Sequence, residues 1–307
     1  MLKSTLSNFT AALLALGLIG SAAHAQPARV FVAAQGSDAN PCSFAQPCRT
    51  FQHAHDTVAA KGEIDVLDPA GYGAVVISKA ISIQGHGFAG LAVTSGDGIT
   101  INANASDVVN LRGLLLDGVG AGAAGITFNT GAFLDIQDCL IRNFTNIGIN
   151  FIPSGASKLS VSSTLASFNV PYGILVHPSG SGTAIAVFDH VAVNNNTTYG
   201  IYVRSGTGEA HASLTDSVVA HNGTIGIAVS STGGATNVMI RGTTISNNNT
   251  GLSVAFATST ARISRSTITQ SAFGWTTLSG GTILSYGDNN VDGNTTDGTP
   301  TSTIALK

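Results

Sequence analysis

Asp189 and His190 are adjacent side chains of the types that general acid–base chemistry uses. Histidine titrates near neutral pH, and a neighbouring carboxylate can orient its ring and stabilise its charged form. The same position of a repeat described below also holds Asp138-Cys139, Ser163-Thr164 and Asp216-Ser217. A polar turn after a strand is therefore the preferred interpretation. Asp189 and His190 remain the catalytic candidates, without a complete catalytic set around them.

The segment from Asp288 to Gly293 has the spacing of the first half of a calcium-binding loop. Oxygen-bearing side chains stand at alternate positions, at Asp288, Asn290 and Asp292. The bidentate glutamate that would close such a loop falls at Thr299 and is missing. The alternative is a polar turn that ends the last coil. We expect that no cofactor is required, and that Ca²⁺ is the ion these three residues could bind.

A Gly-apolar-x-apolar signature recurs along the chain at intervals of 23 to 27 residues. Its glycines are Gly98, Gly125, Gly148, Gly173, Gly200, Gly226, Gly251 and Gly274. An alternating strand and a third short apolar segment accompany most copies, and no helical pattern interrupts them. Three short strands in each period of about 25 residues are typical of one β-helix coil. The pattern predicts an all-β chain, a single right-handed parallel β-helix with three sheets and about nine coils.

An asparagine precedes the glycine in most coils. The set comprises Asn143, Asn169, Asn195, Asn222 and Asn248. Asparagine tolerates the left-handed backbone of a sharp turn, and its amide can bond the same residue in the next coil. We predict that these five residues form a stacked ladder.

The ends of the chain differ from the repeat. Residues 1–25 have the charge, apolar run and small-residue cleavage site of a signal peptide, which predicts a secreted protein, periplasmic or extracellular. Residues 26–62 are predicted to form an N-terminal cap, with a helix from Thr50 to Lys61. Residues 63–285 then form the β-helix, and residues 286–307 a C-terminal cap or tail. In an exported chain, Cys42 and Cys48 favour a disulfide over a metal site, and Cys139 is a buried thiol.

The residues between the inward-facing apolar positions form a column on the outside of the glycine-bearing strands. Leu175, His177, Tyr202 and Arg204 are predicted on that exterior, with Glu209 in a neighbouring loop. An aromatic face with an arginine and a histidine suits a sugar or an acidic glycan. Scattered surface residues are the alternative. Two further tyrosines, Tyr172 and Tyr199, are interpreted as stacked core or turn residues.

Charged residues make up 9% of the chain, and the net charge is −3. The 13 lysines and arginines are scattered along the sequence. Nucleic acid is therefore not expected as a partner, since phosphate neutralisation needs clustered basic residues. No stretch after the signal peptide is long and apolar enough to predict a membrane span.

The segment from Arg29 to Pro41, followed by a helix and Gly-Glu-Ile-Asp-Val, resembles the N-terminus of the pectin-lyase-like superfamily. More narrowly, it resembles the secreted right-handed β-helix repeat proteins of proteobacteria. The resemblance implies the fold over nearly all of the mature chain. It implies no single activity, because the superfamily includes lyases, hydrolases, epimerases and adhesins.

Two short blocks resemble catalytic branches of that superfamily. Gly85-His86-Gly87 matches one block of the polygalacturonase pattern, whose Asn-Thr-Asp, Asp-Asp and Arg-Ile-Lys blocks are missing here. Val187-Phe188-Asp189-His190 resembles a pectate lyase block without the matching arginine block. We therefore predict a non-catalytic module that binds a polysaccharide or another cell-surface glycan. The alternatives are a divergent polysaccharide lyase or glycoside hydrolase, and a purely structural role, so enzymatic activity stays uncertain.

Overall fold

The computed structural model describes residues 26–305, and the predicted signal peptide lies outside them. Within these described residues there is one helix, α1 (Phe51–Thr57). The strands are β1 (Arg29–Val32), β2 (Gly62–Val66), β3 (Ala70–Gly71), β4 (Val75–Ile77), β5 (Ile81–Ala92), β6 (Ile99–Asn102), β7 (Val108–Asp117), β8 (Ala124–Thr130), β9 (Phe133–Gln137), β10 (Leu140–Arg142), β11 (Ile147–Phe151), β12 (Ala156–Ser162), β13 (Leu165–Ser167), β14 (Tyr172–Val176), β15 (Thr183–Asp189), β16 (Ala192–Asn194), β17 (Tyr199–Ser205), β18 (Glu209–Thr215), β19 (Val218–Ala220), β20 (Ile225–Ser231), β21 (Thr236–Arg241), β22 (Thr244–Ser246), β23 (Thr250–Ala255), β24 (Ser259–Ser264), β25 (Thr267–Thr269), β26 (Phe273–Leu278), β27 (Thr282–Ser285), β28 (Asn290–Val291) and β29 (Ser302–Thr303).

These strands form three parallel ladders that wind as a right-handed β-helix of about nine turns, which confirms the predicted fold. Sheet 1 contains the nine strands β4, β6, β8, β11, β14, β17, β20, β23 and β26, most of which carry the glycine signature. Sheet 2 begins with β1, β2, β5 and β7 and continues through β9, β12, β15, β18, β21, β24, β27 and β29. Sheet 3 contains β3, β10, β13, β16, β19, β22, β25 and β28. The long strands β5 and β7 belong to both sheet 2 and sheet 3, because their two halves pair in different ladders.

The core is a stack of identical positions from successive coils. Ile149, Ile174, Ile201 and Ile227 pair in register and are at most 2% exposed. The glycine before each isoleucine also faces the interior. A Cβ atom on Gly173 would come within 2.6 Å of the Val193 side chain, and a larger residue would need the core to shift.

The asparagine ladder forms one residue away from two of the predicted positions. Asn169, Asn196, Asn222 and Asn248 are at most 4% exposed and bond from side chain to side chain at 2.9–3.1 Å. Asn143 and Asn195 instead have left-handed φ values of 59° and 55° in the turn. The prediction was therefore right for three positions and wrong for Asn143 and Asn195. Phe144 occupies the ladder position in the earlier coil and donates its N–H to the Asn169 amide oxygen.

The N-terminal end of the β-helix is covered by α1, as predicted, although the helix ends at Thr57 and not at Lys61. Thr50 caps it by accepting a hydrogen bond from the N–H of His53. The Cys42–Cys48 disulfide is present, and Cys139 is free and buried. Burial raises the pKa of the Cys139 thiol to about 12, so it is unreactive at neutral pH. Within residues 26–305, no helix is long and apolar enough to cross a membrane.

Candidate functional site

Three tyrosines form one aromatic patch on the outer face of sheet 1, which we call the tyrosine cluster: Tyr172, Tyr199 and Tyr202. The rings of Tyr172 and Tyr199 stack with centroids 5.3 Å apart and planes 6° from parallel. Tyr202 meets both rings edge-on, at 5.7 Å and 5.0 Å. Tyr172 and Tyr199 were interpreted as stacked core or turn residues; they do stack, but on the partly exposed outer face beside Tyr202 and not in the core. All three side chains are partly exposed.

The glycine signature explains why the rings of Tyr172 and Tyr199 point outward. Gly173 and Gly200 face the core, where no space exists for a side chain. The tyrosine before each glycine is partly exposed on the outer side. The strict alternation of a strand is interrupted here, because the glycine and the isoleucine after it both face the interior. Since β14 and β17 pair in register, the rings of Tyr172 and Tyr199 lie side by side.

Arg204 lies against Tyr202 of the tyrosine cluster, and His177 lies close enough to Arg204 to feel its charge. The Arg204 guanidinium carbon lies 5.6 Å from the centroid of the Tyr202 ring. Its Nε is buried and has no hydrogen-bond partner among residues 26–305. Partial burial, and then the charge of Arg204, lower the pKa of His177, which favours a neutral imidazole at neutral pH. This face therefore holds one fixed positive charge beside three aromatic rings.

The two other predicted members of this surface are placed differently. Leu175 pairs in register with Asn150 and Tyr202 on the outer face, but it is only 7% exposed. The expectation that Leu175 offers open surface is therefore wrong, because its neighbours cover it. Glu209 is exposed and begins β18 in sheet 2, where its carboxylate lies 3.3 Å from Nε2 of His211. Glu209 and the tyrosine cluster thus belong to different sheets.

Asp189 and His190 lie at the end of β15 in sheet 2, a different sheet from that of the tyrosine cluster. Nδ1 of His190 lies 3.0 Å from Oδ1 of Asp189, and the Thr215 hydroxyl donates to the same oxygen at 2.8 Å. The bond to His190 lowers the pKa of Asp189, and the bond to Asp189 raises the pKa of His190. The two side chains therefore form an exposed ion pair.

Asp216 joins this pair from the next coil, which was not predicted from the sequence. One ligand atom from each of Asp189, His190 and Asp216 lies within 4.8 Å of the others. Gly242 in the following coil leaves the space that the Asp216 carboxylate occupies, since a Cβ atom at position 242 would collide with it. A parallel β-helix stacks equivalent turn positions, so residues 26 apart in sequence become neighbours.

His86, from the Gly-His-Gly block, lies within β5 and not in the predicted turn. It has a left-handed φ of 55°, at the irregular stretch between Gln84 and Ala89 where the pairing register shifts. Its Nε2 is 2.6 Å from Oδ1 of Asp65, and Arg112 pairs with Asp138 at 3.2 Å in the same region. His86, Arg112 and Asp138 line a pocket of about 450 Å³. Each charged group there has a partner, so the pocket is electrostatically balanced.

The proposed calcium-binding residues hold the last coil to the one before it. Both carboxylate oxygens of Asp288 accept hydrogen bonds, from the Ser264 hydroxyl and the Arg265 N–H. Asn290 lies in β28, which pairs with β25, and Asp292 accepts a bond from the N–H of Gly293. The segment runs extended through β28 instead of closing as a loop. Calcium binding at Asp288, Asn290 and Asp292 stays a prediction.

Comparison with known proteins found one matching family model and three similar solved structures. A family model described as "Right handed beta helix region" matches residues 172–299. Similar solved structures include pectate lyase Pel9A, with 13% identity over 90% of this chain and 76% of that chain, at a TM-score of 0.48. The A-module of the Azotobacter vinelandii mannuronan C-5 epimerase AlgE6 has 14% identity over 83% of this chain and 92% of that chain, also at 0.48. The AlgE4 A-module has 14% identity over 81% and 90%, at 0.45.

No curated protein matches the chain. At these sequence identities and TM-scores, the similar solved structures do not indicate an activity for this chain.

Proposed function

We propose that this β-helix is an exported, non-catalytic module that binds a glycan, and that the tyrosine cluster is the centre of its binding surface. The observation that supports this is the placement of three of the chain's five tyrosines in one partly exposed patch. Aromatic rings on a rigid scaffold offer a large apolar contact surface at a small entropic cost. A sugar ring, with its apolar C–H face and polar rim, matches such a surface.

Polar atoms without partners lie close to the same face. Nε of Arg204 and Oδ1 of Asn150 are both buried and lack hydrogen-bond partners among residues 26–305. Asn150 occupies the outward column of β11, two coils before Tyr202. Unsatisfied buried polar atoms are rare in folded proteins and often mark a place where a ligand or water binds. The unpaired donor of Arg204 and the unpaired acceptor of Asn150 suit the hydroxyl groups of a bound sugar.

The residue types on this face support the proposal of binding over hydrolysis. Strands β8, β11, β14, β17, β20 and β23 of sheet 1 contain no aspartate or glutamate. Glycoside hydrolysis requires a pair of carboxyl groups that flank the scissile bond, and proton abstraction requires a base. The tyrosine cluster therefore has groups for recognition and lacks the carboxyl pair that glycoside hydrolysis requires.

A second candidate function belongs to sheet 2. The Asp189–His190 pair, with Asp216 beside it, places an imidazole close to two carboxylates. A divergent lyase or hydrolase could use such a group as an acid–base pair. We propose this as the alternative, and the two functions depend on different sheets.

The test is affinity electrophoresis of residues 26–307 in gels that contain pectin, alginate or a neutral galactan. The Tyr199→Ala/Tyr202→Ala double variant should lose retardation in the glycan that binds, on the order of tenfold or more in affinity. Phe273→Ala is the matched control, because Phe273 is an exposed aromatic in the column of Tyr172 and Tyr199, three coils beyond Tyr199. Equal retardation of the double variant and the control would refute the proposed surface.

Catalysis is measured in parallel on the same three glycans, as absorbance of unsaturated uronates and release of reducing ends. Turnover that disappears in Asp189→Asn would establish the alternative function. Circular dichroism of each variant separates a loss of binding from a loss of the fold.

A further inference from the structure

One groove near the C-terminal end of sheet 2 is lined by three arginines that are scattered in the sequence. Arg241, Arg262 and Arg265 face a cavity of about 740 Å³ together with Tyr286. Met239, Leu284 and Ile304 supply apolar parts of its wall. We call this cavity the arginine groove. It lies on a different sheet from the tyrosine cluster.

The strand register explains how the arginines meet. Arg262 of β24 pairs with Met239 of β21, and Arg241 pairs with Ser264, the residue before Arg265. The three arginines therefore come from two adjacent coils, and neighbouring strands are about 4.8 Å apart. The guanidinium groups are brought to one surface although 20 residues separate Arg241 from Arg262.

The positive charge of the groove is largely uncompensated. Within residues 26–305, neither Arg241 nor Arg262 makes an ion pair, and Arg265 reaches Asp288 only at 4.0 Å. In contrast, Arg29 pairs with Glu63 at 2.6 Å, and Arg142 pairs with Asp117 at 2.9 Å. Like charges in neighbouring coils repel each other in the free protein. An anion in the groove would remove this repulsion, and the concave wall strengthens the field that attracts it.

The type of side chain indicates the type of anion. Guanidinium groups present a planar set of donors that match carboxylate and sulfate oxygens in pairs. The Tyr286 ring and the apolar wall suit the C–H surface of a sugar. We propose that the arginine groove binds an acidic oligosaccharide that carries carboxylate or sulfate groups on neighbouring sugars. This inference is independent of the proposed role of the tyrosine cluster.

The proposal is tested by isothermal titration of residues 26–307 with four probes. They are a trimer of galacturonate, a sulfated disaccharide, a neutral galactose trimer and inorganic sulfate. At least one acidic oligosaccharide should bind, and raising the salt concentration should weaken it because the contacts are electrostatic. The neutral trimer and inorganic sulfate should bind at least tenfold more weakly. Equal affinity for inorganic sulfate and the oligosaccharides would overturn the assignment, as would no binding of either acidic probe.

Variants locate the site. Arg241→Gln and Arg262→Gln should each weaken binding by about tenfold or more, since each removes a charge-assisted bond. Arg142→Gln is the control, because Arg142 is a similarly exposed arginine that already has a partner in Asp117. Binding that is unchanged in Arg241→Gln and Arg262→Gln would refute the proposal. The tyrosine double variant should retain acidic oligosaccharide binding, so failure of one site can be distinguished from failure of the other.

Discussion

Replacing Asn196 by alanine tests whether the buried asparagine ladder stabilises the turns that position Tyr172 and Tyr199. The Asn196 side chain is 1% exposed and makes hydrogen bonds in both directions along the stack. Its oxygen accepts from the N–H of Asn169 at 3.0 Å and from the Asn169 amide at 3.1 Å. Its amide donates to Asn222 at 2.9 Å and to the carbonyl of Ala166 at 3.3 Å.

The loss of stability in Asn196→Ala follows from the groups that lose their hydrogen-bond partners. In Asn196→Ala the N–H of Asn169 loses its acceptor inside the protein, and the Asn169 amide retains only a bond of 3.4 Å to the Ile141 carbonyl. A buried donor without an acceptor costs about 1–3 kcal/mol. The unpaired N–H of Asn169, the weakened bonding of its amide and the space left by the side chain together reduce the free energy of unfolding by about 2–5 kcal/mol.

Urea unfolding followed by circular dichroism measures this loss. For a slope of about 3 kcal/mol/M, the midpoint of Asn196→Ala should fall by roughly 1 M. The neighbouring Asn195→Gly is the control, because Asn195 is exposed and its φ of 55° suits glycine. That variant should change stability by less than about 1 kcal/mol. A larger loss in Asn195→Gly than in Asn196→Ala would refute the ladder register described here.

Three further changes test other parts of the molecule. Gly200→Ala should destabilise the coil by about 1–3 kcal/mol in urea unfolding, because its Cβ would come within 2.7 Å of the Val219 side chain. Removing the Cys42–Cys48 disulfide by a double serine substitution should lower stability by about 2 kcal/mol for so short a loop, seen as a lower melting temperature. Asp189→Asn should lower the pKa of His190 in an NMR titration, since the ion pair is present below the raised pKa and lost as the pH rises through it. Each prediction is contradicted if its measured quantity does not change. These quantities are the stability of Gly200→Ala, the melting temperature of the disulfide variant and the pKa of His190 in Asp189→Asn.

The sequence by itself determined the coil repeat. Each coil must bury the same face against the coils on either side, so inward apolar residues and glycines recur at a fixed interval. This constraint made the sheets, the number of coils and the outward position of Tyr202 and Arg204 predictable. The local signals of a capped helix and a short cysteine spacing likewise predicted α1 and the Cys42–Cys48 disulfide, although not the last residue of the helix.

The ladder position required the tertiary structure. In the run Asn194-Asn195-Asn196, adjacent asparagines suit both a left-handed turn and a buried ladder. Only the packing of one coil on the next decides which side chain points inward. The same reason applies to Leu175, whose exposure depends on the size of the residues in neighbouring coils.

Likewise, only the fold determines which charged residues lie next to one another. Asp216 lies beside Asp189 and His190, and Arg241 lies beside Arg262, because parallel strands stack in register at a spacing of about 4.8 Å. Along the chain these residues are separated by a full coil, so their charges look scattered. The sequence sets what each coil carries on its outside, and the register between coils sets which of those groups act together.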